Sequence, residues 1–188
     1  MKELSLHLLD LVENSIRAKA THIILSIAEN TTQDLLEIVV EDDGEGMDEW
    51  QLERVWDPFF SGQNKKVGMG IPLFAQVVEQ CQGKVTISSQ KGRGTRLRAT
   101  MQRSHIDCPP LGNIPETLTL LVITHPEIRW EFAHLKDGQG WFFKSDEFFA
   151  QWETKNVYSL YTPLREWFQN RENNLGEGNH HENREYRR

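Results

Sequence analysis

Asp10 and Asn14 stand four residues apart in a stretch with helical spacing, so their side chains emerge one above the other on a single face. An asparagine oxygen can complete the shell of a magnesium ion, which keeps several waters and takes few protein ligands besides phosphate oxygens. A carboxylate one turn away can orient or deprotonate a water. On its own, such a pair is also an ordinary feature of a solvent-facing helix. Asp42 opens a second group, Asp42-Asp43-Gly44-Glu45-Gly46-Met47. A carboxylate at a strand end can accept a hydrogen bond from an exocyclic amine, and glycines let a flat base approach the backbone closely. In isolation Asp-x-Gly-x-Gly also describes a plain acidic turn. Gly68-Met69-Gly70 opens a helix, where unpaired backbone N–H groups favour an anion such as phosphate. Thr95 adds a hydroxyl beside the turn Gly92-Arg93-Gly94.

The elements that must hold these groups follow from the hydrophobic pattern. Leu4, Leu8, Leu11, Val12 and Ile16 recur at helical spacing, predicting an amphipathic helix over residues 4–19. Strands are predicted from Thr21 to Ala28 and from Leu35 to Glu41. In the second, Leu36, Ile38 and Val40 share a face, and Asp42 has the same parity. Its carboxylate is therefore expected on the covered side of the sheet. Asp48 caps a short helix through about Val55, with Gln51 at the capping-box position. Residues 56–70 lack periodicity and form a long loop, a kind of segment that in compact domains is usually functional or disordered. A helix over Pro72–Gln82 and a hairpin of Lys84–Gln90 with Thr95–Met101 complete an α+β layer, a mixed sheet with helices on one face.

After about residue 103 the composition shifts. Pro109-Pro110-Leu111-Gly112 reads as a rigid connector, Asn113 to Glu116 as a helix start, and Pro126 as its stop. Ile128–Leu135 and Trp141–Lys144 suggest another hairpin across Asp137-Gly138, followed by a short helix from about Asp146. Most of the aromatic residues here, Trp130 to Trp167, are expected in the core, with some available for a docking patch. From Asn170 to Arg188 the chain is polar and without apolar periodicity, hence expected to be disordered. The expected division is 1–103, an extension over 104–169, and a tail over 170–188.

The chain carries 188 residues and a net charge of −7, which speaks against a general nucleic-acid binder. Arg93, Arg96, Arg98 and Arg103 cluster along one strand and its exit, as a solvated outer face would. No apolar run approaches the roughly 20 residues of a membrane span, and the first residues do not resemble a secretory signal, so a cytoplasmic protein without membrane contact is expected. Cys81 and Cys108 are expected to be unpaired and inert.

Taken together and in order, these segments resemble the Bergerat ATP-binding fold of the gyrase, heat-shock chaperone, histidine kinase and mismatch-repair superfamily. The motif carried by the first helix is Leu11-Val12-Glu13-Asn14-Ser15-Ile16-Arg17-Ala18, and the glycine boxes are Asp42–Met47, Gly68–Leu73 and Gly92–Thr95. Asp57-Pro58-Phe59-Phe60-Ser61 is similar to the segment before the lid of many histidine kinases. The resemblance covers about residues 3–103. It implies ATP and magnesium as ligands, with Asn14 holding the metal and Asp42 binding the adenine amine, helped by Thr95 through water. Gly44, Gly46 and Met47 would line the base, and Gly68, Met69 and Gly70 the phosphate end. Residues 61–67 would form a lid whose Lys65 and Lys66 neutralise terminal phosphate charge, and Arg17 would contact phosphate or ribose.

One departure bears on catalysis. Hydrolysing members place glutamate four residues before the magnesium asparagine, and histidine kinases commonly place asparagine there. Asp10 occupies that position here, one methylene shorter, which predicts slow hydrolysis with Asp10 as the base. Glu13 points about 100° away round the helix. The region after 103 is similar to stand-alone ATPase-like proteins of anaerobic bacteria, often found near iron-only hydrogenase or related redox subunits, and this implies an unidentified protein partner. Three readings follow: a stand-alone ATP-driven switch with or without slow hydrolysis, a protein kinase acting on a separate substrate, and a binding module that only senses ATP.

Overall fold

The first helix ends where the backbone turns left-handed. In the computed structural model, which describes residues 3–58, 69–153 and 156–175, α1 spans Leu4–Arg17. Lys19 then takes a φ of 60°, and Ala20 N donates to Ser15 O in a Schellman closure. This stops the helix two residues short of the expected end. The chain continues as β1 (His22–Asn30), β2 (Leu35–Asp42), α2 (Glu49–Arg54), α3 (Gly70–Gln80), β3 (Lys84–Gln90) and β4 (Gly94–Gln102). The Asp48–Gln51 capping box forms as the sequence predicts. Helix α3 begins at Gly70 rather than Pro72, because proline in a first turn has no hydrogen bond to lose.

After residue 103 come α4 (Ile114–Thr124), β5 (Arg129–Lys136), β6 (Gln139–Lys144), α5 (Ser145–Phe149), a 3-10 turn at Val157–Leu160, and α6 (Tyr161–Asn173). Helix α6 is absent from the expectations above, and the polar stretch from Asn170 begins as its last turn. Leu164 and Phe168 supply its buried stripe. The rest of the expected tail, from residue 176, lies outside the described residues.

All six strands form one mixed sheet in the order β3-β4-β2-β1-β5-β6. Strand β5 runs parallel to β1 from His22↔Arg129 to Glu29↔Lys136, and the remaining pairs are antiparallel. The hairpin of the 104–169 region therefore continues the sheet of the 1–103 region. On the covered face, Ile23, Leu25, Ile27, Leu36, Ile38, Leu97 and Ala99 meet Leu4, Leu8, Leu11 and Val12 of α1 and Phe74 and Val78 of α3. Towards β6 the same layer turns aromatic: Trp130, Phe132, Trp141, Phe143 and Phe168 are buried, with the Phe143 and Phe168 rings 4.8 Å apart. Phe142 and Trp152 remain exposed. The other face carries ion pairs between neighbouring strands, Arg96 with Glu41 and Arg98 with Glu37, which places these two arginines on the solvated face the sequence predicts, whereas Arg103 turns to the part-buried Glu29.

Two features tie the C-terminal region to the rest. Leu4 and Ser5, whose N–H groups have no intrahelical acceptor, donate to Pro110 O at 2.9 Å and Leu111 O at 2.8 Å, so the connector caps α1. At the far end, His134 is buried between Glu172 of α6 (2.7 Å) and Glu29 of β1 (3.4 Å), and Glu29 also accepts from Arg103 at 2.5 Å. Burial alone lowers the His134 pKa, but the two carboxylates overturn this and raise it to about 8. The His134 ring beside it, against the cost of burial and with help from Arg103, takes Glu29 down to about 2.

Both cysteines are free, and burial pushes Cys81 up to about 12 and raises Cys108, so both are held as thiols. Among the described residues no helix is long and apolar enough to cross a membrane.

Candidate functional site

Alternation along β2 brings Asp42 to the covered face, at the end where α1 leaves the sheet. Its carboxylate is held on both oxygens. Ser15 Oγ donates to Oδ2 at 2.6 Å and Gly44 N donates to Oδ1 at 2.9 Å. Each oxygen keeps a lone pair for a further donor. Asp42 and Thr95 are direct partners across β2 and β4, and Thr95 and Ser89 are partners across β4 and β3. The two hydroxyls lie 2.9 Å apart, and Ser89 Oγ also accepts from Met47 N at 2.8 Å. Ser89, Thr95 and Asp42 thus form a polar row across three strands.

Above this row lies a cavity of about 240 Å³. Leu11, Val40, Ile71 and Leu97 form apolar walls, while Asn14, Ser15, Asp42 and Thr95 supply polar groups. A mostly apolar pocket with a few convergent polar groups is the usual form of a small-molecule site. Gly46 and Met47 line its rim. Gly46 has a φ of +63°, and a Cβ there would come within 2.1 Å of Gln90 O, so a side chain is excluded and the backbone itself borders the pocket.

Asp10 and Asn14 lie on the α1 face turned towards α3. A Cβ on Gly70 would stand 3.2 Å from Asp10 Cβ and 3.6 Å from Asn14 Nδ2, so the first residue of α3 rests on both. Among the described residues no hydrogen bond engages the Asn14 amide or the Asp10 carboxylate, which leaves both available to a ligand. Asn14 is part of the pocket wall and Asp10 lies one turn beyond it. This donor set fits a purine nucleotide with magnesium: a fixed strand-end carboxylate for an amine, apolar walls for a base, and an amide oxygen for the metal.

Other predicted residues fall elsewhere. Arg17 is half exposed and turned to Glu13, with Nε donating to Glu13 O at 3.1 Å and an ion pair to its carboxylate at 3.3 Å; it is not part of the pocket wall. Glu13 shares that exposed face. Met69 is exposed at the start of α3. Lys65, Lys66 and Gly68, with the expected lid of residues 61–67, lie outside the described residues. Two residues without an assigned role in the sequence reading gain one here. Ser15 orients Asp42, and Ser89 braces Thr95 and Met47. Ser15 follows Asn14 directly, and the helix sends it towards the sheet, a placement that needs the α1–β2 packing to be known. Asp43, beside Asp42, is a structural brace, accepting from Thr21 N at 2.7 Å and His22 N at 2.8 Å.

The model of the family described as histidine kinase-, DNA gyrase B-, and HSP90-like ATPase matches residues 2–105. Sporulation kinase C of Bacillus subtilis (strain 168) is 27% identical over 93 residues, 50% of this chain and 22% of that protein. Sensor histidine kinase ZraS of Escherichia coli (strain K12) is 31% identical over 88 residues, 47% of this chain and 19% of that protein. The match thus spans about a fifth of the length of these curated relatives. Among solved structures, the N-terminal domain of a DNA repair protein superposes with a TM-score of 0.50 at 14% identity, covering 77% of this chain and 52% of that one, a likeness of fold.

Proposed function

The chain belongs to the histidine kinase-, DNA gyrase B-, and HSP90-like ATPase family, and on that premise we propose that it is a magnesium-dependent ATP switch with slow hydrolysis that acts on a protein partner. The observation that carries this reading is the fixing of Asp42 by Ser15, the immediate neighbour of Asn14 on α1. One helix residue orients the base-reading carboxylate while the next presents an amide for the metal, so base and phosphates are gripped by a common element. Asp42 accepts the exocyclic amine, Thr95 supports it from the neighbouring strand, and Asn14 completes the metal shell. Bound magnesium ATP supplies the activated phosphoanhydride and the charge compensation for breaking it. Asp10 orients the attacking water and takes its proton. Its carboxylate is one methylene shorter than a glutamate's, and a displaced base lowers the rate steeply.

Transfer of the phosphoryl group to a separate protein is the second reading, favoured by the kinases among the similar proteins. His7, the one histidine of α1, is 1% exposed and cannot serve as the acceptor. Incubation with ATP labelled at the γ-phosphate separates these functions. Label released as inorganic phosphate supports the slow hydrolase, label on an added protein supports the kinase, and label retained in ATP overturns both.

A further inference from the structure

His7 is 1% exposed, and among the described residues neither Nδ1 nor Nε2 has a hydrogen-bond partner. Buried polar atoms are nearly always paired, and an unpaired imidazole in a core costs free energy that leucine in the same space would not. Something must therefore favour the ring. It lies on the α1 face that carries Asp10 and Asn14, three residues before Asp10. Side chains of a helix lean towards its N-terminus, so Asp10 leans back over the turn that His7 begins. Helix α3 covers the two as consecutive rungs. Its Gly70 rests on Asp10, and one turn later Phe74 packs against the His7 ring at 5.8 Å. Burial lowers the pKa of His7, with the Asp10 charge opposing, so the ring is neutral and keeps one N–H donor and one acceptor nitrogen.

We propose that His7 is a positioning residue for Asp10, donating its ring N–H to the carboxylate when the nucleotide is bound and fixing the carboxylate towards the water that attacks. The inference rests on the reading of Asp10 as the base. It gives the buried imidazole a partner and offsets the short reach of an aspartate by holding it in one rotamer. Neutral imidazole suits this task, since it orients the carboxylate while leaving the negative charge that accepts the proton.

The test combines imidazole ¹⁵N spectroscopy with turnover. Protein labelled at histidine is measured with magnesium and a non-hydrolysable ATP analogue, as wild type and as Asp10→Asn. The expected result is a protected His7 N–H resonance in wild type that shifts or vanishes in Asp10→Asn; identical His7 signals in the two proteins overturn the proposal whether or not ATP is hydrolysed. In parallel, His7→Leu is expected to lower kcat about tenfold with KM held within about twofold, and His7→Gln to recover part of the loss. Wild-type kcat in His7→Leu overturns the positioning role. Undiminished turnover in Asp10→Asn overturns instead the assignment of Asp10 as the base.

Discussion

Ser15 Oγ stands 2.6 Å from Asp42 Oδ2, a bond that crosses from the first helix to the end of the second strand. It fixes the carboxylate proposed to meet the base. Ser15→Ala is expected to leave the fold intact and weaken nucleotide binding about tenfold, in line with the roughly 1.5–3 kcal/mol of a hydrogen bond to a charged group. Isothermal titration with magnesium ATP measures this, and an unchanged dissociation constant would show that Asp42 needs no such brace.

Asp42→Asn replaces an acceptor oxygen with a donor facing the purine amine, and Asn14→Asp replaces a neutral metal ligand with a charge beside the phosphates. Each variant is expected to bind magnesium ATP about 100-fold more weakly while keeping its far-ultraviolet circular dichroism, as the roughly 1.5–3 kcal/mol of a contact to a charged group implies. Full affinity in either one removes that residue from the site.

Asp10→Asn retains size and polarity and loses the proton acceptor. Binding is expected to remain within about threefold of wild type, while phosphate release falls by about 100-fold or more, the usual scale of general-base catalysis. A coupled phosphate assay reads the rate, and persisting release would assign the proton to another group.

The His134 cluster gives the fold a pH signature. The folded His134 pKa of about 8 lies above the ordinary 6.5, so its stabilisation is complete below about 6.5 and is lost as pH rises through 8. The folded Glu29 pKa of about 2 lies below the ordinary 4.5, so its stabilisation is present above 4.5 and is lost as pH falls towards 2. Thermal midpoints are expected to be highest between about pH 4.5 and 6.5 and to decline towards pH 9 by an amount equivalent to roughly 2 kcal/mol. His134→Gln should flatten the alkaline limb. A decline of the same size in that variant would place the titrating group elsewhere.

Much of the site was legible because it depends on local periodicity. The parity of Leu36, Ile38, Val40 and Asp42 puts the carboxylate on the covered face, and the Asp48–Gln51 box starts α2, both within a few residues of chain. The Asp10–Asn14 face follows from helical geometry alone. What stayed hidden depends on distant partners. Ser15 acquires its role only once α1 packs over β2, 27 residues away in sequence. Ser89 likewise needs the β3–β4 register. Helix α6 carries a narrow apolar stripe on a polar body, and its stability comes from the aromatic layer it covers, so no window of sequence declares it. The fusion of both regions into one sheet rests on a parallel pairing between residues more than 100 positions apart.

That pairing joins the two regions of the chain into one sheet. A fragment cut just after residue 105, the end of the family match, would strip β1 of its neighbour along eight positions and take away the carbonyls that close the start of α1. It would bare the β1 edge, a row of unpaired N–H and C=O groups on which misassembled chains grow. The sheet that carries the pocket is therefore covered at β1 by a hairpin that contributes nothing to the pocket walls.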